Sequence, residues 1–295
     1  MTLEQLRIFV AVAERQHVTR AAAALGLAQS AVSAAIAALE SRHRIKLFHR
    51  IGRGIALTDA GELFLIEARG VLARAETAEQ RLSDLGGLKR GRLRLWASQT
   101  IAGYWLPRHL ADFRRAYPGI TIELSIGNTA EAAAGVLDGS ADLGFAEGLV
   151  IDPLLSVTEV ARDRLVLVVA PDHPWSARKR VALADFPQSD WVLREEGSGT
   201  RAIFEAALAD AGVKLPANRV VMSLPSNEAV RGAAAAGLGA AVLSASVVAA
   251  MLEAEMLVAP RADLPDRAFV ALAHTERYQS AAARALLDQI AGRRR

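Results

Sequence analysis

Apolar residues recur at helical spacing at the start of the chain. Leu3, Leu6 and Phe9 lie three residues apart, which predicts a first amphipathic helix. Thr19 can cap a second, shorter helix that ends near Leu25, because its hydroxyl can accept a hydrogen bond from an unpaired backbone N–H.

A third helix is predicted after a single glycine. Gly26 permits a tight turn, and Val32, Ile36 and Leu39 then share one helical face. Two helices joined by a short turn with glycine are typical of a helix-turn-helix, although many all-helical cores contain such a pair.

The pattern changes at residues 47–58, LFHRIGRGIALT, where two short apolar segments flank a turn with glycines. This arrangement predicts a small hairpin, or wing, with Arg50 and Arg53 at its tip. Thr58 can cap the helix that follows, and Asp59 lies near the positive end of that helix.

The next predicted helix is long and carries apolar residues at heptad spacing. The residues of this seam are Phe64, Ala68, Val71, Ala75, Ala78, Leu82 and Leu85. The seam favours self-association of two chains, and the alternative is a surface helix that packs on its own domain.

From residue 92 onward, strand-like and helical segments alternate, which indicates βαβ units around mostly parallel sheets. About two hundred residues of this kind suit two lobes with a cleft between them. The predicted boundaries are 1–58 for the winged helix-turn-helix, 59–87 for the linker helix, 88–91 for a hinge, and 92–295 for a two-lobed α/β domain. Within that domain, lobe 1 comprises about 92–162 and 266–295, and lobe 2 comprises about 163–265.

The net positive charge of the chain lies in its first 58 residues. Residues 1–58 hold eight Lys/Arg and three Asp/Glu, a balance of +5, whereas the whole chain of 295 residues has a net charge of +3. A basic module on a near-neutral body predicts a polyanionic partner at one end. The chain has no cysteine, which excludes disulfides, thiolate metal sites and cysteine nucleophiles.

Two charge-free stretches, residues 21–39 and 232–252, are long enough to span a membrane. Both consist mostly of small residues and contain turn signals, and the charges near the start of the chain do not fit a signal peptide. We therefore expect a cytoplasmic protein without a membrane span.

Small polar residues and glycines gather where predicted strands lead into helices, the position at which ligands bind in open α/β sheets. The candidate effector-binding residues are Ser98, Gln99, Thr100, Asn128, Thr129, Ser198, Gly199, Thr200, Arg201 and Asn227. Exposed N–H groups at helix starts suit an anion, although each residue alone is more often a helix cap.

Catalytic motifs are missing from the sequence. It contains no GxxxxGK[ST], HExxH or GxSxG, and its six histidines are scattered. We expect no enzyme activity, no metal site and no cofactor.

These residues together resemble the LysR-type transcriptional regulators. The matching segments are LRIF at 6–9, TRAA at 19–22, residues 25–33, LE at 39–40, LFHR at 47–50, LT at 57–58, AG at 60–61, SQT at 98–100, LP at 106–107 and residues 194–201. The GNTAE and REEGSGTR segments are most similar to members that control inorganic sulfur or carbon assimilation.

The resemblance implies a winged helix-turn-helix, a linker helix and a two-lobed effector domain like those of periplasmic binding proteins. Its expected partners are double-stranded DNA, a small anionic metabolite, and further copies of the chain as a dimer or tetramer, with RNA polymerase as an additional candidate. The candidate DNA-binding residues are Thr19, Arg20, Gln29, Ser30, Ser33, Ala34, Arg50 and Arg53.

These residues divide the expected recognition between bases and phosphates. Gln29 can bind adenine in bidentate fashion, Ala34 can contact a thymine methyl group, and Arg50 and Arg53 suit phosphates. Two positions depart from the family, because many members carry Ser at residue 28 and Arg, Gln or Lys at residue 34. Two other classes remain open from the residues alone: a solute-binding protein, and an α/β enzyme with a basic appendage.

Overall fold

The computed structural model describes residues 1–51, 54–85 and 90–292, without the side chains of residues 80, 83 and 85. The chain forms two compact units, residues 1–86 with 138–140 and residues 87–137 with 141–295. We call them the N-terminal unit and the C-terminal unit.

Three helices open the N-terminal unit. They are α1 (Leu3–Arg15), α2 (Val18–Leu25) and α3 (Gln29–His43). The capping residue predicted for α2 was wrong: Thr19 lies inside the helix, and the His17 side chain accepts the N–H of Arg20 at 3.5 Å. Histidine can take this role because a neutral imidazole has one accepting ring nitrogen.

The turn and the wing follow the predicted pattern. Gly26 has φ of 65° between α2 and α3, a conformation that favours glycine. Strands β1 (Phe48–Ile51) and β2 (Gly54–Leu57) pair in antiparallel fashion, and α4 (Asp59–Leu85) follows them. Thr58 caps α4 as predicted, since its hydroxyl accepts the N–H of Gly61 at 3.1 Å.

A buried carboxylate attaches the wing to α3. Glu40 is 8% exposed and accepts the backbone N–H groups of Leu47 at 2.9 Å and Phe48 at 3.3 Å. It also binds the Lys46 ammonium at 2.6 Å. Burial by itself raises the pKa of the Glu40 carboxyl, but these hydrogen bonds and the Lys46 charge together lower it below its ordinary value.

Replacing Glu40 with Gln is expected to lower the free energy of unfolding at pH 7 by about 1–3 kcal/mol, because charge-assisted hydrogen bonds become neutral ones. The folded-state pKa lies below the unfolded value near 4.5, so the wild-type advantage is complete above that pH. It disappears as pH falls through the lower, folded-state pKa. Denaturant unfolding of both proteins from pH 7 to pH 3 measures this difference, and a gap that stays constant with pH would contradict it.

The C-terminal unit alternates strands and helices in two successive groups. The first comprises β3 (Gly91–Ser98), a π-helical turn (Ile101–Trp105), α5 (Leu106–Ala116), β4 (Ile120–Gly127), α6 (Thr129–Asp138), β5 (Leu143–Glu147) and β6 (Leu155–Val168). The second comprises β7 (Trp191–Arg194), α7 (Gly199–Asp210), β8 (Val220–Leu224), α8 (Asn227–Ala235), β9 (Ala241–Ser244) and α9 (Ala245–Glu253), after which β10 (Asp266–His274) and α10 (Ala281–Gly292) complete the described chain.

The sheets are less parallel than the sequence pattern predicts. The larger sheet has the order β4-β3-β5-β10-β6-β9, and β7 pairs with β8 in a separate parallel pair. Within the larger sheet β3 pairs in parallel with β4 and β5, whereas the pairs formed by β10 with β5, β10 with β6 and β6 with β9 are antiparallel. The difference arises because β10 returns late in the chain and inserts between β5 and β6.

Strand β6 serves both lobes. Its residues 155–164 pair with β10, and its residues 165–168 pair with β9. One apolar core surrounds Phe113 and Phe145 in the first lobe, and another surrounds Trp191 and Phe204 in the second. The strands β6 and β10 therefore connect two separately packed cores.

No single helix in the described ranges is long and apolar enough to span a membrane. Helices α2 and α3 meet that criterion only when they are taken together, and the chain bends by 110° between them.

Candidate functional site

The predicted DNA-contacting side chains are exposed on the N-terminal unit. Those within the described residues are Thr19, Arg20, Gln29, Ser30, Ser33, Ala34 and Arg50. Arg53 lies outside the described residues. Helices α2 and α3 thus bury their apolar residues against α1 and keep the polar ones accessible.

Three of these side chains meet in one groove. Thr19 from α2, Gln29 from the start of α3 and Arg50 from β1 line a cavity of about 430 Å³, together with His17. Sequence reasoning missed His17, although a histidine just before a helix is a recognisable capping candidate. The groove combines an amide, a hydroxyl and a guanidinium, which are the groups that bind base edges and phosphates.

Helix α3 begins without a side-chain cap. Ala28 is the N-cap residue and makes no side-chain hydrogen bond, so the first N–H groups of α3 lack an acceptor from that side chain. Such groups at a helix start bind anions, including phosphate. This feature agrees with the departure seen in the sequence at Ala28.

The predicted seam of α4 divides into a covered and an exposed part. Phe64 and Ala68 pack on the core of the same unit, and the Phe64 ring lies 4.9 Å from that of Phe9. Ala75 is half-buried, and Val71, Ala78 and Leu82 are exposed, whereas the side chain of Leu85 is not among those described. Leu63 and Ile66, outside the predicted seam, are each 69% exposed. Self-association through α4 stays a prediction.

In the C-terminal unit a buried guanidinium lies where the two lobes meet. The Arg267 side chain is 1% exposed, and its Nε donates to Asp163 at 2.7 Å. Its Nη1 donates to the Thr200 hydroxyl at 2.7 Å. Among the described residues, Nη2 has only long contacts, 3.5 Å to the Thr100 hydroxyl and 3.8 Å to Glu147.

The predicted residues Gln99, Thr100 and Asn227 join the lobes. The Gln99 amide donates to the carbonyl of Pro225 at 2.6 Å and accepts the Asn227 N–H at 2.9 Å. The Asn227 amide also donates to the Thr100 hydroxyl at 3.0 Å. These bonds connect the start of the helical segment after β3 with the start of α8.

A second guanidinium lies beside Asn227. Arg194 donates to Glu195 at 2.7 and 2.9 Å and also contacts the Asn227 amide oxygen. Asn128 donates to the same Glu195 carboxylate at 3.3 Å. Burial by itself raises the pKa of Glu195, but hydrogen bonds and charge from Arg194, with Asn128, lower it.

The start of α7 packs closely against Glu147 and Thr129. A Cβ atom on Gly199 would lie 2.6 Å from both the Glu147 carbonyl oxygen and the Thr129 hydroxyl oxygen. Ser198 is buried and is the N-cap of α7, but its side chain makes no capping hydrogen bond. The first N–H groups of α7 therefore lack a side-chain acceptor at this position.

Two predicted residues have other partners than Arg267 and Asn227. Arg201 bonds to Glu205 at 2.7 Å, to the Arg194 carbonyl at 3.3 Å and to the Ser223 hydroxyl at 3.5 Å. Ser98 accepts the N–H of Ile101 at 3.4 Å, so it caps the helical segment after β3. The structure brings Thr100, Thr200 and Asn227 together but does not bring Arg201 to them.

Sequence reasoning missed the charged residues at the centre of the cluster. Arg267, Glu147 and Arg194 belong to strands whose other residues are largely apolar, and Asp163 lies in β6 between Arg162 and Arg164. A charged residue in such a strand costs free energy unless it is paired, and that cost is the signal that could have identified them. Asp163 and Arg267 pair across strands separated by about one hundred residues of sequence.

A winged helix-turn-helix followed by two lobes around a buried polar cluster defines a class of DNA-binding proteins that respond to a small molecule. Two family models match the chain: "Bacterial regulatory helix-turn-helix protein, lysR family" at residues 3–62 and "LysR substrate binding domain" at residues 86–295. The chain belongs to the LysR family of transcriptional regulators, which bind DNA and carry an effector-binding domain.

Two relatives support this assignment. The uncharacterized HTH-type transcriptional regulator YeiE of Escherichia coli K12 is 36% identical over 233 residues, which cover 79% of this chain and 77% of YeiE. A probable RuBisCO transcriptional regulator of Cyanidioschyzon merolae is 34% identical over 235 residues, covering 79% and 78%. The second relative agrees with the predicted similarity to regulators of carbon assimilation.

Two solved structures share the fold. Full-length CbnR complexed with its target DNA has a TM-score of 0.71 at 23% identity and covers 99% of both chains. The regulatory domain of Synechocystis CcmR in complex with 2-PG has a TM-score of 0.63 at 26% identity, covering 69% of this chain and 97% of that one.

Proposed function

We propose that the chain recognises a specific operator through α3 and its wing, and that a small anion bound between the lobes modulates this activity. It acts in the cytoplasm as a dimer or tetramer, without enzyme activity, and RNA polymerase is its candidate protein partner. The observation that carries the effector part is the buried Arg267 guanidinium, whose Nη2 has only long contacts among the described residues.

The DNA-binding part rests on the groove at the start of α3. Gln29 presents an amide that suits the two polar atoms of an adenine edge, and Ser30 and Ser33 add short hydroxyls. Ala34 offers a methyl surface to thymine, which leaves room for α3 to lie deep in the major groove. Arg50, with Arg20, supplies positive charge for phosphates.

The anion-binding part rests on donors that converge from both lobes. Thr100 and Thr200 both contact Arg267, and Asn227 bonds to Thr100. Thr200 belongs to the first turn of α7, whose start has no side-chain cap. Helix starts and guanidinium groups bind carboxylate and phosphate through the same charge-assisted hydrogen bonds. Glu147 is the carboxylate that an incoming anion would displace from the neighbourhood of Nη2.

Thermal unfolding with added ligands tests the anion site. The anion named for CcmR, 2-PG, together with sulfite, sulfate and phosphate, forms a suitable panel. At one hundred times its Kd, a ligand of the folded state adds about 2.7 kcal/mol, which raises Tm by several degrees. Thr200→Val should abolish that increase and leave DNA binding intact, because it removes one hydroxyl partner of Arg267.

Thr121→Val is the matched control, since Thr121 is exposed on β4 and should leave the ligand response unchanged. If the anion that stabilises the wild type stabilises Thr200→Val equally, the site is not between the lobes. If no anion in the panel raises Tm, the anionic class of the effector is wrong.

Replacing Arg50 with Ala should weaken binding to operator and random DNA alike. Loss of one phosphate contact is expected to reduce the slope of log Kd against log salt by about 0.9. Fluorescence anisotropy at four salt concentrations measures this slope. Arg162→Ala, which removes an exposed arginine from the C-terminal unit, is the control. An unchanged slope in Arg50→Ala would remove Arg50 from the phosphate contacts.

A further inference from the structure

A groove of about 740 Å³ lies in the second lobe, between the edge of β6 and the segment before β10. Its charged lining residues are Arg164, Lys179, Arg180, Arg261 and Asp263. This volume falls within the range of about 300–1,000 Å³ that is typical of small-molecule sites. The groove belongs neither to the cluster around Arg267 nor to the DNA-binding surface.

Positive charge in the groove is only partly balanced. Arg180 pairs with Asp263, but both side chains are largely exposed, so the pair contributes little. Arg164, Lys179 and Arg261 have no carboxylate within ion-pair distance in the described part of the chain. Four cations thus face one anion in a concave surface, where a low-dielectric wall strengthens their combined field.

The backbone holds two of these like charges side by side. Arg180 and Arg261 form a parallel β-bridge, in which Arg261 N–H donates to the Lys179 carbonyl at 3.2 Å. Val181 N–H donates to the Arg261 carbonyl at 2.8 Å. Like charges on directly opposed residues repel one another, and a bound anion would reduce this repulsion.

The other lining of the groove is apolar and includes a strand edge. Leu252, Pro260 and Leu264 present hydrocarbon surface. Residues 165–168 of β6 pair with β9 on one side. On their other side, no strand partner lies within the described residues: pairing with β10 ends at Arg164 opposite Asp266, and the next pairing is at Val169, which forms a bridge with Val258. Alternate residues of such an edge point their N–H and C=O groups into the groove.

We propose that this groove is a second ligand site, which binds a small organic anion with an apolar body. The negative group binds Lys179 and Arg261, and the body packs against Leu252, Pro260 and Leu264. Such a ligand contacts both the cationic and the apolar part of the lining, whereas an inorganic anion would leave the apolar part exposed to solvent.

The site differs from the cleft although both use the same strand. Asp163 points to Arg267 in the cleft, and its neighbour Arg164 lines the groove. Successive residues of a strand face opposite sides, which accounts for this separation. Substitutions in the cleft should therefore leave groove binding unchanged.

Isothermal titration of the full chain with phenyl phosphate at low salt tests the proposal. We expect Lys179→Gln/Arg261→Gln to weaken binding at least tenfold. Both residues are exposed, so the variant should fold normally, as its circular dichroism spectrum can verify. Lys214→Gln/Arg115→Gln, which removes two exposed positive charges elsewhere in the C-terminal unit, should change the affinity by less than twofold.

Thr200→Val separates this site from the proposed effector cleft. Retention of phenyl phosphate binding in Thr200→Val, with its loss in Lys179→Gln/Arg261→Gln, supports the groove. Unchanged binding in Lys179→Gln/Arg261→Gln, absence of binding in the wild type, or loss of binding in Thr200→Val would each overturn it.

Discussion

Arg267→Met should lower the free energy of unfolding by about 3–5 kcal/mol, the usual cost of removing one partner from a buried ion pair. Asp163, whose side chain is 6% exposed, would lose its guanidinium partner at 2.7 Å, and Glu147 would lose the nearest positive charge. Methionine fills much of the same volume, so the loss of charge pairing dominates over any cavity. Chemical denaturation followed by tryptophan fluorescence measures the change.

The matched control for this variant is Arg162→Met. Arg162 lies on β6 beside Asp163 but is 71% exposed, and within the described ranges it forms an ion pair only with Glu159. Its replacement should change stability by less than about 1 kcal/mol. In Arg267→Met/Asp163→Leu the principal unpaired carboxylate is removed as well, so part of the lost stability should return. Equal, small effects of Arg267→Met and Arg162→Met would show that the buried pair does not hold the lobes together.

Gly61→Ala should destabilise the N-terminal unit by at least about 3 kcal/mol and eliminate DNA binding. A Cβ atom at this position would lie 2.1 Å from the Leu47 carbonyl oxygen and 2.9 Å from Leu57 Cδ2. Overpacking against backbone cannot be relieved by a change of rotamer, so α4 or the wing must move. Thermal unfolding together with DNA-binding anisotropy detects both consequences.

Gly70→Ala is the control on the same helix. Apart from its chain neighbours and the backbone of α4 itself, no atom of the described residues lies within 4 Å of a Cβ built at Gly70. Alanine should therefore stabilise α4 by about 1 kcal/mol through helix propensity. A loss of stability in Gly61→Ala together with a gain in Gly70→Ala would identify close packing against Leu47 as the cause of the loss. Destabilisation by both would point instead to a general intolerance of α4 to substitution.

Local patterns were sufficient to predict the elements of the N-terminal unit. The spacing of Val32, Ile36 and Leu39 predicted α3, and the glycines of residues 52 and 54 with Thr58 predicted the wing and the start of α4. These signals act over a few residues, so a single sequence contains them. The cap of α2 was the exception, because His17 takes a role for which hydroxyl side chains are more common.

The centre of the cleft could not be predicted in the same way. Thr100, Thr200 and Asn227 were found because strand ends that lead into helices are local signals. Arg267 was missed because its partners, Asp163 and Thr200, are distant in sequence and meet only through the antiparallel insertion of β10. The same insertion explains why the sheet is less parallel than its alternating pattern predicts.

Binding of the purified full chain to the intergenic DNA beside its own coding gene tests the central claim most directly. A gel-shift assay at low salt, with random DNA of the same length as competitor, should show retardation that the competitor removes only in large excess. Gln29→Ala should retain binding but lose most of this preference. Absence of retardation at low salt, or equal affinity of the wild type for operator and random DNA, would contradict sequence-specific regulation through α3.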